Sequence, residues 1–207
     1  MHDHRWKNRL LALAVAALLA SAGAAIAQEG GEAAQELPPG MTPEMMAAWE
    51  TAMTPGPEHE VLAAMAGSWT FSGTFWMAPG APPETSTGTA EREMTLGGRV
   101  LVERVKSEMM GQPFEGFGLS GFDNVSGKYW GTWNDNMGTG LMIAQGTCGE
   151  DGSCEFTGTW NDPMVGGPKT VRMTMKSEPN REVHAMYDKA PDGTEFKSME
   201  LVYTRSE

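Results

Sequence analysis

Positive charge is scarce in this chain: 15 Lys and Arg stand against 27 Asp and Glu, a formal net charge of −12 over 207 residues. That balance excludes a nucleic-acid partner, because phosphates are neutralised by clustered Lys and Arg. It argues equally against docking on an anionic membrane surface. Cysteine is nearly absent, with only Cys148 and Cys154, and no further Cys or His lies close enough to complete a zinc-type set. Histidine is limited to four residues, two of which, His2 and His4, sit at the very start. No Ser occupies a Gly-x-Ser-x-Gly setting, so a nucleophile elbow is unsupported. No Gly-rich phosphate loop precedes a helix. Long helical segments between the strand-like runs are missing too, which excludes a parallel sheet.

The first residues carry Arg5, Lys7 and Arg9, then an apolar stretch from Leu10 to Ala20 that closes on Ala25-Ile26-Ala27 before Gln28. A basic start, an apolar centre and an A-x-A site in that order predict a signal peptide over residues 1–27. The competing reading is a membrane anchor, since the run from Leu10 to Ala27 just reaches spanning length of about 18 residues. Its Ala-rich composition and the acidic, Gly-rich segment after it favour cleavage. Three cations and one anion leave with that leader, so the −12 of the whole chain becomes −14. The expected compartment is the periplasm or the medium, with no membrane association after cleavage, and acidity then serves solubility.

Between Cys148 and Cys154 lies Gly-Glu-Asp-Gly-Ser, a turn sequence flanked by strand-like runs. The two thiols are placed across a hairpin mouth, and an oxidising compartment predicts a disulfide between them.

Residues 28–40 (QEGGEAAQELPPG) are polar and aperiodic and read as a flexible linker. Thr42, Pro43 and Glu44 then open a helix whose apolar stripe is Met45, Met46, Trp49 and Met53. Pro57, Glu58 and Glu60 open a second short helix, which Gly67 ends. His59, in its first turn, is read as a structural acceptor for a backbone N–H. After Gly67 about ten β-type runs follow, near 68–77, 85–95, 99–109, 113–122, 128–134, 139–147, 154–160, 169–177, 181–188 and 194–205. Short connections pair neighbours antiparallel, and closure into an up-and-down barrel removes exposed edges. A monomer is expected.

One string recurs: Gly131-Thr132-Trp133-Asn134-Asp135 returns as Gly158-Thr159-Trp160-Asn161-Asp162, each followed by Met, at 137 and 164. In a meander both copies end at one rim, with Trp inward and Asn-Asp in the turn. Met77, Met109 and Met110 fall at turns of the same rim. Three readings of these methionines stay open: a plug over the barrel end, an adaptable portal for an apolar ligand, or soft ligands for Cu(I).

Ala66-Gly67-Ser68-Trp69 opens the first strand after a short helix and resembles the Gly-x-Trp signature of calycin barrels: lipocalins, fatty-acid-binding proteins and nitrobindins. The resemblance implies that Trp69 closes the barrel base, with Arg205 in the last strand as its basic partner. A closer resemblance covers nearly the whole chain after the leader. Pro57-Glu58-His59, Leu96-Gly97-Gly98-Arg99-Val100-Leu101, Gly111-Gln112-Pro113-Phe114-Glu115-Gly116, Gly121-Phe122-Asp123-Asn124, Trp133-Asn134-Asp135-Asn136, Asp192-Gly193 and Tyr203-Thr204-Arg205 are similar to a bacterial family catalogued as domain of unknown function 1579. That resemblance implies a calycin-like barrel over residues 41–207 and carries no catalytic residue with it.

The function expected is binding of an apolar or amphipathic small molecule inside the barrel. Trp69, Phe71 and Phe75 from the first strand would line it, with Trp133 and Trp160 from the repeated strands. Tyr203 and Arg205 would give polar contacts or close the base. His184 alternates with Glu182, Met186 and Asp188 on one face of its strand, opposite Val183, Ala185 and Tyr187. If that face is inward, His184 joins the lining. No cofactor is required, but an inward His184 also opens two alternatives: a barrel enzyme with an acid–base His, Asp or Glu, or a haem protein as in nitrobindin-like barrels. The pair Glu91/Glu93 and the pair Arg172/Lys176 are read as solvated outer faces.

Overall fold

The computed structural model describes residues 38–206. The expected signal peptide, and the linker up to residue 37, lie outside the described residues.

Helix α1 (Pro43–Met53) starts where Thr42 Oγ1 accepts the Met45 N–H at 3.2 Å. Helix α2 (Pro57–Ala64) begins at Gly56, which has no capping side chain. His59 supplies the acceptor instead, its Nδ1 taking the Gly56 N–H at 3.1 Å, the backbone role expected of it. Ten strands follow: β1 (Gly67–Phe75), β2 (Glu84–Thr95), β3 (Val100–Met109), β4 (Gln112–Asp123), β5 (Lys128–Asp135), β6 (Met142–Cys148), β7 (Ser153–Asp162), β8 (Gly167–Glu178), β9 (Arg181–Lys189) and β10 (Glu195–Arg205). Each pairs antiparallel with its sequence neighbours, and β1 pairs β10 from Trp69↔Arg205 to Phe75↔Met199, so the barrel closes as expected. The largest boundary difference is at β6, expected from 139 but starting at Met142. Asn134 Nδ2 donates to the Gly140 carbonyl at 2.7 Å and holds those residues in the connection. Cys148 and Cys154 stand directly opposite on β6 and β7 and are bonded to each other.

Side chains alternate between wall faces. Trp69, Phe71 and Gly73 of β1, Ala90 and Arg92 of β2, and Leu101 and Val105 of β3 point inward and are buried. A bulge between Lys197 and Met199 adds one residue to β10 and resets its alternation, so Phe196 pairs Asp188 before it and Leu201 pairs His184 after it. Several inward glycines carry an aromatic ring flat against the wall. A Cβ on Gly116 would run into the Trp133 ring, one on Gly88 into Phe71, and one on Gly146 into Phe156. These rings lie along the wall because the residue beneath them has no side chain.

The two ends differ. At the base, α2 lowers Leu62 and Met65 against Leu101 and Tyr129. Trp69 Nε1 donates to the Met65 carbonyl at 3.0 Å. Arg205 lies 4.3 Å from the Trp69 ring centroid and donates to the carbonyls of Ala64, Ala66 and Pro179. The base closure implied by the calycin resemblance is therefore present. Helix α1 is tied on by Asn124 Nδ2, which donates to the carbonyls of Thr51 and Thr54 at 2.7 Å each. Its stripe of Met45, Trp49 and Met53 is exposed. At the opposite rim, Met77, Met110, Met137 and Met164 are exposed and Met109 is half-buried. Asp135 and Asp162 build the same turn there, each accepting the backbone N–H two residues on, at 3.0 and 2.7 Å. That is the shared rim the repeated string predicts.

Candidate functional site

Beside Trp69, toward the base end of β2 and β9, the inner wall turns polar. Arg92 of β2 is the pivot. Its Nε donates to Glu103 Oε1 on the neighbouring strand at 2.7 Å, and its Nη1 donates to Glu182 Oε2 on β9, also at 2.7 Å. The guanidinium carbon lies 5.1 Å from the Trp69 ring centroid and 4.7 Å from that of Tyr203. Burial works against its charge, but the two carboxylates outweigh burial and hold Arg92 firmly protonated, above its ordinary value.

Glu182 also meets His184, whose Nε2 lies 3.0 Å from Glu182 Oε2. Burial pushes the Glu182 carboxyl up; the His184 hydrogen bond and the Arg92 charge prevail and leave it below the ordinary carboxylate value. An ionised carboxylate only accepts, so His184 Nε2 carries the proton and Nδ1 of the neutral ring is an acceptor. The imidazole packs against Tyr203 with ring centroids 4.9 Å apart. Burial raises the Tyr203 phenol above its ordinary value and the Glu103 carboxylate adds to this, so it stays protonated.

Exposure grades through this cluster. The Arg92 and Glu182 side chains are 2 % and 1 % exposed, Glu103 is 20 % exposed and His184 is 26 % exposed. Glu103 and His184 stand on the inward side of their strands. Glu182 Oε1 is buried and makes no hydrogen bond. Buried polar oxygens ordinarily have partners, and an exception calls for an explanation. Above the cluster the wall is apolar and only half-buried: Phe114, Trp133, Leu201, Met142, Met173 and Met186. Toward the rim, Lys169 joins Asp162 and Asp188, with N–O distances of 3.5 and 2.5 Å, and lies 5.6 Å from the Trp160 ring centroid.

The sequence-predicted residues thus separate into three levels. Trp69 and Arg205 form the floor, with Arg205 spent on backbone carbonyls. Phe71, His184 and Tyr203 lie at the middle level. Phe75, Trp133 and Trp160 lie above it, Trp133 Nε1 donating to Asp135 at 3.0 Å. His184 does point inward. The structure adds Arg92, Glu103 and Glu182, which sequence reasoning did not assign to the site. The clue was alternation: Arg92 shares its face with Ala90 and Met94, while Glu91 and Glu93 lie outside, bonded to Ser68 and Arg104. Arg172 likewise lies outside, over Tyr187 and paired with Glu195.

A groove of about 500 Å³ on the outer wall, lined by Thr70, Thr87, Thr89 and Thr204 among others, carries no titratable side chain. The chemistry is inside. Among the described residues no three His, Cys, Asp or Glu side chains are grouped to hold a metal ion, and no helix is long and apolar enough to cross a membrane.

Comparisons with known proteins give the same architecture. The family model described as "Protein of unknown function (DUF1579)" matches residues 54–205. No curated protein matches the chain. Among solved structures, the crystal structure of Rv2717c from M. tuberculosis is similar at a TM-score of 0.57 and 14 % identity, covering 74 % of this chain and 100 % of that one. At that identity the likeness concerns the fold.

Proposed function

From the premise that the chain belongs to the DUF1579 family, whose description assigns no activity, we propose that it is an exported container for one amphipathic small molecule. The molecule enters past the methionine rim and lies with its apolar body along Phe114, Trp133, Met173 and Met186. Its polar end rests at Glu103 and His184. The observation that carries this reading is the graded exposure of the inward charged cluster. Two of its members keep a fifth to a quarter of their side-chain surface free in a barrel whose only helical plug among the described residues is at the base. A solid core would cover them, since an inward charge is otherwise neutralised by full pairing. The flattened Trp133 ring over Gly116 supports the same reading, because it keeps aromatic bulk against the wall. The Cys148–Cys154 disulfide supports a compartment outside the cytoplasm.

Native mass spectrometry of protein taken from its own host tests the proposal directly. A discrete bound mass is expected, lost when the lumen is filled by Ala144→Trp. A bare polypeptide mass, together with failure of every amphiphile offered afterwards, would overturn it. An absorbance spectrum of the same sample reads a haem through its Soret band.

One observation favours acid–base chemistry on the bound molecule as a second reading: His184 Nε2 is held by a buried carboxylate at 3.0 Å, which leaves Nδ1 as a positioned base. Conversion of the captured molecule by wild type, lost in His184→Ala with binding intact, is the expected result of that reading.

A further inference from the structure

The inward cluster keeps unused carboxylate oxygens. Three basic side chains on the inner face are engaged. Arg92 is bonded to Glu103 and Glu182, Lys169 is paired to Asp162 and Asp188, and Arg205 donates to three backbone carbonyls at the floor. Arg104, Arg172 and Lys176 point outward, to Glu93, Glu195 and Asp151. Acceptors, in contrast, remain. Glu103 uses Oε1 for Arg92, makes no hydrogen bond through Oε2, and is 20 % exposed. His184 offers Nδ1 once Nε2 is committed to Glu182. Glu182 Oε1, 99 % covered, is the unpartnered oxygen behind them. Apart from His184, the cluster sets two carboxylates against one guanidinium, and the Asp162–Lys169–Asp188 group sets two carboxylates against one ammonium.

We infer that the polar end of the ligand is a hydrogen-bond donor, a primary ammonium or an amine-like group, and that the site discriminates against carboxylates. This rests on the container reading above and names the ligand class of that same site. An ammonium donates to Glu103 Oε2 and His184 Nδ1, while its alkyl body meets the half-buried methionines and Trp133. A carboxylate meets the Tyr203 O–H but stands beside two ionised carboxylates, a like-charge juxtaposition in a poorly solvated interior. A neutral alcohol falls between, donating once with no charge gained.

The test uses purified protein and three probes of one chain length, decylamine, decanol and decanoate, below their aggregation concentrations, with binding measured by calorimetry. Decylamine is expected to bind at least tenfold more tightly than decanoate, with decanol intermediate. Attraction to the acidic surface at large is separated by two charge-matched variants. Glu103→Gln, inside, is expected to abolish most of that preference; Glu93→Gln, outside and 69 % exposed, is expected to keep it. Decanoate binding as tightly as decylamine would overturn the inference and leave the container reading intact. So would equal loss of preference in both variants. Failure of all three probes would remove the container reading and this inference with it. The wild-type series decides the matter alone if Glu103→Gln does not fold.

Discussion

Trp69 at the base keeps 1 % of its surface and Met164 at the rim keeps 93 %, although both belong to the same ten-stranded wall. The base is built from long-range contacts: a helix from before the first strand, an indole from that strand and a guanidinium from the last. The rim is built from local turns, in which Asp135 and Asp162 each accept the N–H two residues on. A contact that joins the two ends of the chain stabilises the whole closure, whereas an Asx turn stabilises its own hairpin. Strength is therefore concentrated at one end, and the other is left free to change composition without loss of the fold.

That contrast can be broken in order of expected effect. Trp69→Ala removes the floor and is expected to cost about 4 kcal/mol, as large aromatic-to-Ala changes in cores do. Urea denaturation at neutral pH reads it, and a loss under about 1 kcal/mol would show that the base is not packed as described. Arg92→Met is expected to cost about 3 kcal/mol at pH 7, because it leaves Glu182 buried without its cation. Its sign with pH is distinctive. In wild type the Glu182 value is depressed, so its stabilisation is present above the unfolded value of about 4.3 and is lost as pH falls through the folded one. Without Arg92, burial dominates and the folded value rises above the unfolded one. The penalty of the variant is then expected to shrink as pH falls below about 5. A stability difference between variant and wild type that stays constant from pH 7 to pH 4 would contradict the buried pairing.

Smaller effects sharpen the contrast. Cys148→Ser with Cys154→Ser opens a short loop and is expected to cost about 2 kcal/mol, read as a lower melting temperature that matches wild type under reducing conditions. At the rim, Met77, Met137 and Met164 changed together to Ser are expected to shift stability by no more than about 0.5 kcal/mol each. The same triple change should alter the rate at which a bound amphiphile leaves, measured by stopped-flow displacement. A large stability loss with no change in release would assign these methionines to a plug instead.

Much of this architecture was legible in the residues because strands announce themselves by period and their ends by turn chemistry. The ten runs, the shared rim of the two Gly-Thr-Trp-Asn-Asp strings and the bridging cysteines follow from those signals, while the Trp69–Arg205 closure was implied by the calycin resemblance. The face of β9 was open, since a bulge reverses alternation and the one in β10, at Lys197/Met199, has no local signature. The polar cluster was less legible still. Arg92 sits between two glutamates, where it reads as part of a charged outer surface, and its partner Glu182 is 90 residues away. Only closure of β1 on β10, which puts Tyr203 beside both Phe71 and Glu182, brings the two charges together.

The glycines under the aromatic rings have a consequence for how such a barrel can change its contents. Away from the base, the inner wall is shaped by the hydrogen atoms at Gly116 and Gly88 as well as by the strands. At Gly116, where an added methyl would meet only the Trp133 ring, Ala would tip that ring off the wall; at Gly88 and Gly146 it would also press on a backbone carbonyl of the next strand. A single methyl at Gly116 can therefore change the shape of the inner wall at Trp133 while the strand order stays as it is.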